Sequence, residues 1–207
     1  MTWIAHYSDG TSLGAYYLSN GTQIWFRASF PLESSGGALS QIAQYDNKIY
    51  FGSHSGLLHA VNQSNGVSIC DIYINPNGNG GLGFDMYQGP SIANNGIGFV
   101  GNLHGDFLMF NASNCARLWT TTLWSPQANY PFQSAIYNDP AISKGKVYFK
   151  SDNQNIYALD LGNGTEEWTD LGHDGTLTGK SNCPNCLTTK KGHSKVIPLQ
   201  AGPTGLI

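Results

Sequence analysis

Short apolar blocks recur along this chain, each followed by an alternating segment and then a polar turn. Ile49-Tyr50-Phe51-Gly52-Ser53, Gly98-Phe99-Val100-Gly101-Asn102 and Val147-Tyr148-Phe149-Lys150-Ser151 are 49 residues apart. Blocks of that length bounded by turn residues predict buried strands. Leu57 to Asn62, Phe107 to Asn111 and Ile156 to Asp160 then alternate, which predicts a second strand in each unit. A third strand runs up to Trp25, Cys70, Trp119 or Trp168. Between the second and third, an Asn stands at one offset: Asn20-Gly21, Asn65-Gly66, Asn114-Cys115 and Asn163-Gly164. Asn-Gly is a strong hairpin signal, because both central residues of a type I′ turn need positive φ, so type I′ turns are expected there. A fourth strand is expected before the apolar block, around Ser91 to Ala93 and Ala141 to Ser143, behind Pro90 and Pro140.

Self-comparison makes the repeat explicit. Ala15 to Trp25 (AYYLSNGTQIW), Ala60 to Cys70 (AVNQSNGVSIC), Met109 to Trp119 (MFNASNCARLW) and Ala158 to Trp168 (ALDLGNGTEEW) align without a gap, at spacings of 45, 49 and 49. Four strands in about 49 residues is one blade of a β-propeller, so the expected fold is all-β with four-stranded antiparallel blades. A partial blade is placed at 1–30, beginning near its third strand. Blades follow at 36–75, 88–124 and 138–170, and an irregular tail at 171–207. Four blades make about half a ring. Each blade buries its faces against its neighbours, so an open arc leaves two apolar faces to be covered by further blades, a second copy or the tail.

Composition agrees and narrows the function classes. Charged residues are 11% of the 207, against roughly 25% in ordinary globular proteins, while Gly (26) and Pro (9) are frequent and aromatics reach 12%. That excludes a coiled coil or helical bundle. A net charge of −3 offers no basic stripe, so nucleic acid is not an expected partner. No window approaches 18 uninterrupted apolar residues, so no membrane span is expected.

The pattern A-x-D-x-x-x-G-x-x-x-W, carried by Ala158, Asp160, Gly164 and Trp168, resembles the tryptophan-docking motif of the pyrroloquinoline-quinone (PQQ) repeat family. That family holds eight-bladed quinoprotein dehydrogenases and propellers that bind no quinone, such as outer-membrane assembly lipoproteins. The resemblance covers roughly residues 10 to 170. It implies that the indole ending one motif stacks between that motif's leading Ala and the Gly peptide of the next. The docking residues would be Ala15, Gly21, Trp25, Ala60, Gly66, Trp119, Ala158, Gly164 and Trp168. Two departures stand out: Cys70 replaces a Trp and Cys115 replaces a Gly. Docking geometry would bring these two together, which implies a Cys70–Cys115 disulfide closing a loop of about 45 residues and contributing roughly 2–4 kcal/mol. Disulfides persist in oxidising compartments. Since Met1 to Gly10 has neither a basic n-region nor an apolar h-region, the expectation is an extracellular or other extracytoplasmic protein whose signal and first blades precede this chain.

The chemistry of the dehydrogenase relatives implies an adjacent-cysteine disulfide over the quinone, a Trp beneath it, Ca²⁺ on carboxylate and amide oxygens, and an Asp base. No Cys-Cys pair occurs here, and Asp139 before Pro140 reads as a turn residue. Cys183-Pro184-Asn185-Cys186 is open to four readings, of which a local disulfide is favoured over zinc, a redox pair or free thiols. Its neighbours His173 and His193 match no standard zinc spacing, and Lys180, Lys190, Lys191 and Lys195 read as a solvated loop. His6, His54, His59 and His104 are scattered; His54 and His104 fall in equivalent turns, one residue out of register, and read as turn residues rather than a metal ring. No G-x-S-x-G, H-E-x-x-H or P-loop is present. Candidate N-glycosylation asparagines are Asn20, Asn62, Asn111 and Asn163, all in or beside the hairpins. The expected function is a non-catalytic, cofactor-free propeller scaffold that binds a protein or glycan partner, or the missing blades of a larger ring. The alternative is a fragment of a PQQ-dependent quinoprotein alcohol or aldehyde dehydrogenase, which would carry PQQ with Ca²⁺.

Overall fold

The computed structural model describes residues 2–5, 12–28, 30, 40–75, 85–123, 135–136, 140–152, 155–171 and 177–178, without the side chains of 2–5, 168–171 and 177–178. The described residues form four antiparallel sheets, the blades of a β-propeller. Blade one holds β1 (Thr2–Ala5), β2 (Leu13–Tyr17) and β3 (Gln23–Arg27). Blade two holds β4 (Ala43–Tyr45), β5 (Lys48–Gly52), β6 (Leu57–Asn62) and β7 (Ser68–Tyr73). Blade three holds β8 (Ser91–Ile92), β9 (Ile97–Gly101), β10 (Asp106–Asn111) and β11 (Ala116–Thr122). Blade four holds β12 (Ala141–Ser143), β13 (Lys146–Lys150), β14 (Asn155–Asp160), β15 (Glu166–Leu171) and β16 (Leu177–Thr178).

Three sequence expectations change. Blade one does not begin near its third strand: Thr2–Ala5 pairs with Gly14–Tyr17, which supplies the apolar-block strand as β1. That pairing joins segments whose pattern is too short to read alone. The stretch after 171 is not wholly irregular, because Leu177 and Thr178 pair with Asp170 and Thr169 and extend blade four by a strand. The Asn-Gly hairpins are not type I′ turns. Only the second residue has positive φ (Gly21 71°, Gly66 70°, Cys115 61°, Gly164 71°). The Asn instead accepts the backbone N–H two residues on, as from Val67 to Asn65 Oδ1 at 3.0 Å, which closes a four-residue loop as an Asx turn. The paired positive φ values of a type I′ turn occur at Asp46-Asn47 and Lys144-Gly145, between the first two strands of blades two and four.

The core lies between blades. The middle strands β5 and β6 are buried along nearly their whole length because both faces meet a neighbouring sheet, whereas β7 alternates. Ile49, Phe51 and Val61 pack towards blade one, and Tyr50, Leu58 and Ala60 towards blade three. All four units bulge at one place, just after Ala15, Ala60, Met109 and Ala158. The first strands β4 and β8 touch each other, so the sheets converge on that edge and fan out towards β3, β7, β11 and β15.

The topology gives the arc two unlike sides. The β4–β5 and β6–β7 turns and their equivalents leave one side, the turn face, while the short β5–β6 and β9–β10 turns leave the other. The long connections 28–42, 74–90 and 123–140 begin and end on that other side, the connection face. There the chain is pinned in repeating fashion: Met86 N–H donates to Ser53 C=O at 3.1 Å and Ile136 N–H to Asn102 C=O at 3.0 Å.

Candidate functional site

Two sets of residues stand out, the three joints between blades and the connection face. In the first joint, Trp25 lies opposite Ala15 in register and is 8% exposed. Its indole covers Gly66 so closely that a β-carbon there would lie 2.6 Å from Cε3. Its Nε1–H donates to the Gln63 carbonyl at 2.8 Å. The third joint repeats this, with Trp119 over Gly164 and Nε1–H donating to the Leu161 carbonyl at 3.0 Å. A further donor follows each indole by two residues: Arg27 Nη1 donates to the Gly66 carbonyl and Thr121 Oγ1 to the Gly164 carbonyl, both at 2.8 Å.

The second joint is built differently. Cys70 and Cys115 are disulfide-bonded, with Cα atoms 6.5 Å apart. Cys115 keeps the left-handed backbone of the glycine it replaces, at φ 61°. The carbonyl matching Gln63 and Leu161 is that of Ala112, and here it accepts the hydroxyl proton of Tyr50. Tyr50 is fully buried, and its phenol is pushed up to about 12 by burial, then by the charges of Asp46 and Tyr45. Arg117 closes the joint by donating to the Tyr73 and Ile74 carbonyls, and burial holds its guanidinium below the usual range.

On the connection face, His54 Nδ1 lies 3.0 Å from Asp85 Oδ1, next to the half-exposed Tyr87. Asp106 is fully buried. Its Oδ1 accepts Asn75 Nδ2 at 3.0 Å and Thr122 Oγ1 at 2.6 Å, and its Oδ2 accepts Asn102 Nδ2 at 2.9 Å. With three side-chain donors, this carboxylate ties β10 to β11 and to the segments that follow β7 and β9. His104 sits 3.8 Å from Asp106 Oδ2. His59 Nδ1 meets Asp71 Oδ1 at 2.6 Å, its ring stacked on Phe51 in the first joint. Among the described residues no group of three or more His, Cys, Asp or Glu side chains is placed to hold a metal.

Two grooves of about 460 Å³ flank the outer joints. One is lined by Tyr17, Ile24 and Asn62 to Ser64, the other by Thr121 to Leu123 and Asn163 to Glu166. At the sequons, Asn20, Asn62, Asn111 and Asn163 accept a backbone N–H through Oδ1; Asn20 and Asn163 are exposed. The side chain of Trp168, and Cys183, Cys186, His6, Asp139, His173, His193 and the tail lysines, lie outside the described residues. Tyr50, Arg117 and the Asp106 cluster carried no motif that sequence reasoning could pick out; Tyr50 was visible only as one member of an apolar block.

A family model described as outer membrane protein assembly factor BamB matches residues 2–170. No curated protein matches the chain. Solved structures share the fold. BamB from Moraxella catarrhalis is 14% identical with a TM-score of 0.62, over 80% of this chain and 47% of that one. Saccharomyces cerevisiae Sqt1 is 14% identical at 0.59, over 84% and 49%. The quinohemoprotein alcohol dehydrogenase of Comamonas testosteroni is 14% identical at 0.59, over 78% and 32%. The chain therefore spans half or less of the length of these structures.

Proposed function

The chain belongs to the family described as outer membrane protein assembly factor BamB, a family of PQQ-like repeat propellers, and from that premise we propose that it is a non-catalytic binding scaffold. Its connection face takes a protein or glycan partner in an extracytoplasmic compartment. The observation that carries this reading is the inequality of the two faces. The turn face has only tight turns, while the three long connections begin and end on the other, and binding residues concentrate on loops held by a rigid scaffold. Those connections contain Tyr87, Trp124, Tyr130, Phe132 and Tyr137 among Asn, Gln and Gly, a composition suited to stacking on a sugar ring or a partner side chain and to hydrogen bonding around it. The Cys70–Cys115 disulfide supports an oxidising compartment, and the exposed Asn20 and Asn163 supply glycan acceptors if that compartment is a eukaryotic secretory one.

The dehydrogenase reading lacks such support. It needs a cysteine pair over the ring axis, and the described pair lies in the second joint, at the outer strand of blade two, between β7 and the β10–β11 turn. Those residues do not fit the quinone's site.

A photocrosslinking side chain at Tyr87, on the connection face, is expected to yield partner adducts in the native host, and one at Val67, on the turn face, is not. Adducts from Val67 alone, or turnover of an alcohol or aldehyde with added PQQ and Ca²⁺, would overturn the reading.

A further inference from the structure

Every blade ends in an outer strand whose far edge faces away from its sheet, and in blade four that edge is filled. β16 lies along β15 there, with Thr178 opposite Thr169 and Leu177 opposite Asp170, and makes the sheet five-stranded. In blades one to three the outer strand is the last of its sheet among the described residues. β11 offers the longest such edge, at seven residues against five in β3 and six in β7. Leu123 N–H donates to Gly105 C=O at 2.9 Å. By the alternation of an antiparallel ladder, Thr121 then also bonds inward, and the backbone groups of Thr120 and Thr122 point outward. Thr120 stands where Thr169 stands, one repeat earlier. Among the described residues nothing pairs with these outward groups. The usual guards of an edge are missing as well. β11 contains no Pro or Lys, and its Arg117 is turned onto the Tyr73 and Ile74 carbonyls. The hydroxyls of Thr120 and Thr122 are turned in, to Ile74 C=O at 3.0 Å and Asp106 Oδ1 at 2.6 Å. β7 is less open, because Arg117 already engages its Tyr73 carbonyl.

We propose that the edge of β11 receives an extended segment of a partner protein as a fifth strand, with a Lys or Arg side chain turned towards blade four. Main-chain pairing supplies the affinity of such an added strand, and the spaces beside it select its side chains. Here that space is the groove of about 460 Å³ between Thr121 and the blade-four residues Asn155, Tyr157, Asn163, Thr165 and Glu166. Thr121 faces it, since its Oγ1 donates to the Gly164 carbonyl, and a residue opposite Thr121 on an added strand shares that face. Hydroxyls and amides line the groove, and its one ionised group is the exposed carboxylate of Glu166, so a cation complements it. A second copy pairing β11 with β11 would instead bring a groove of the same negative sign. The site lies on the rim, apart from the connection face, and does not depend on the function proposed for that face.

Fluorescence anisotropy of labelled synthetic peptides with the full chain tests the pairing and the charge separately. The probe Thr-Val-Thr-Lys-Thr-Val-Thr favours an extended strand and carries its Lys on the face opposite the threonines. It is expected to bind saturably. The same peptide with its two inner threonines N-methylated is expected not to bind, because their N–H groups are the ones that would pair with Thr120 and Thr122. Replacing the Lys by Glu should weaken binding about fivefold, the scale of one exposed ion pair. Glu166→Gln, a conservative change at an exposed side chain, should bring the Lys and Glu peptides within about twofold of each other. The proposal is overturned by no saturable binding, by binding that survives N-methylation, by equal affinity of the two peptides for the unchanged chain, or by a Lys preference that persists in Glu166→Gln.

Discussion

The first and second joints solve one packing problem with different parts. In the first, a single side chain does two things: the Trp25 indole fills the space over Gly66 and its N–H satisfies the Gln63 carbonyl. In the second, the Cys70–Cys115 disulfide spans the gap, but sulfur cannot supply the missing donor. The Ala112 carbonyl would be buried without a partner, and Tyr50 provides one from two strands away. What the blades share is therefore a filled glycine position and a satisfied carbonyl. Tryptophan is one way to meet both.

The sharpest way to break that equivalence is at the third joint, which repeats the first. Trp119→Ala removes a 9%-exposed indole and leaves the Leu161 carbonyl without its donor. A loss of about 3–5 kcal/mol in urea unfolding is expected. Trp119→Phe keeps an aromatic filler and should lose less, about 1–3 kcal/mol, through the orphaned carbonyl. Equal losses would mean that the hydrogen bond carries nothing. Next in size, replacing both Cys70 and Cys115 with Ser opens a loop closed across 45 residues and should cost about 2–4 kcal/mol. If reduction leaves the unfolding midpoint unmoved, the covalent link is not what holds blades two and three.

The contrast between joints also marks how far the sequence could be read. Strands, blade period and the sites of the turns follow from apolar blocks and Asn-Gly pairs, because each is a local pattern. The partners within a joint follow only through register, which the constant spacing of the motifs conveys. Tyr50 to Ala112 spans 62 residues and Arg117 to Ile74 spans 43, and neither belongs to a repeated pattern. A tyrosine in an apolar block looks the same whether its hydroxyl meets solvent, water or a carbonyl. The turn type is hidden for a related reason: an Asx bond lets Asn-Gly serve a four-residue loop as well as a two-residue one.

Tyr50→Phe tests the substitute donor directly. The ring and its 5.5 Å contact with Phe110 remain, but the Ala112 carbonyl loses its partner, and a cost of about 1–3 kcal/mol is expected. The same variant carries a pH signature. Folding raises the phenol from 10.0 to about 12, so the folded state favours the neutral form. The stability this provides is whole below pH 10 and is lost as pH rises towards 12. The margin between the unchanged protein and Tyr50→Phe should therefore narrow across that window; a constant margin would show that the hydroxyl is not held in a buried bond.

The smallest effect discriminates most finely, because it asks whether the donor after the indole matters on its own. Thr121→Val removes the hydroxyl that reaches the Gly164 carbonyl while nearly preserving shape, and the indole above it stays in place. About 0.5–1.5 kcal/mol should be lost, one net hydrogen bond. The second joint provides the reference: Ile72 stands two residues after Cys70, donates nothing, and is 7% exposed in the core. That joint shows that a blade interface can form without the second donor, so Thr121→Val should loosen the third joint without opening it. Hydrogen exchange separates these outcomes, with faster exchange confined to blade four expected. Exchange that rises throughout blades three and four would make Thr121 as essential as Trp119, and the two kinds of joint would no longer be variants of one design.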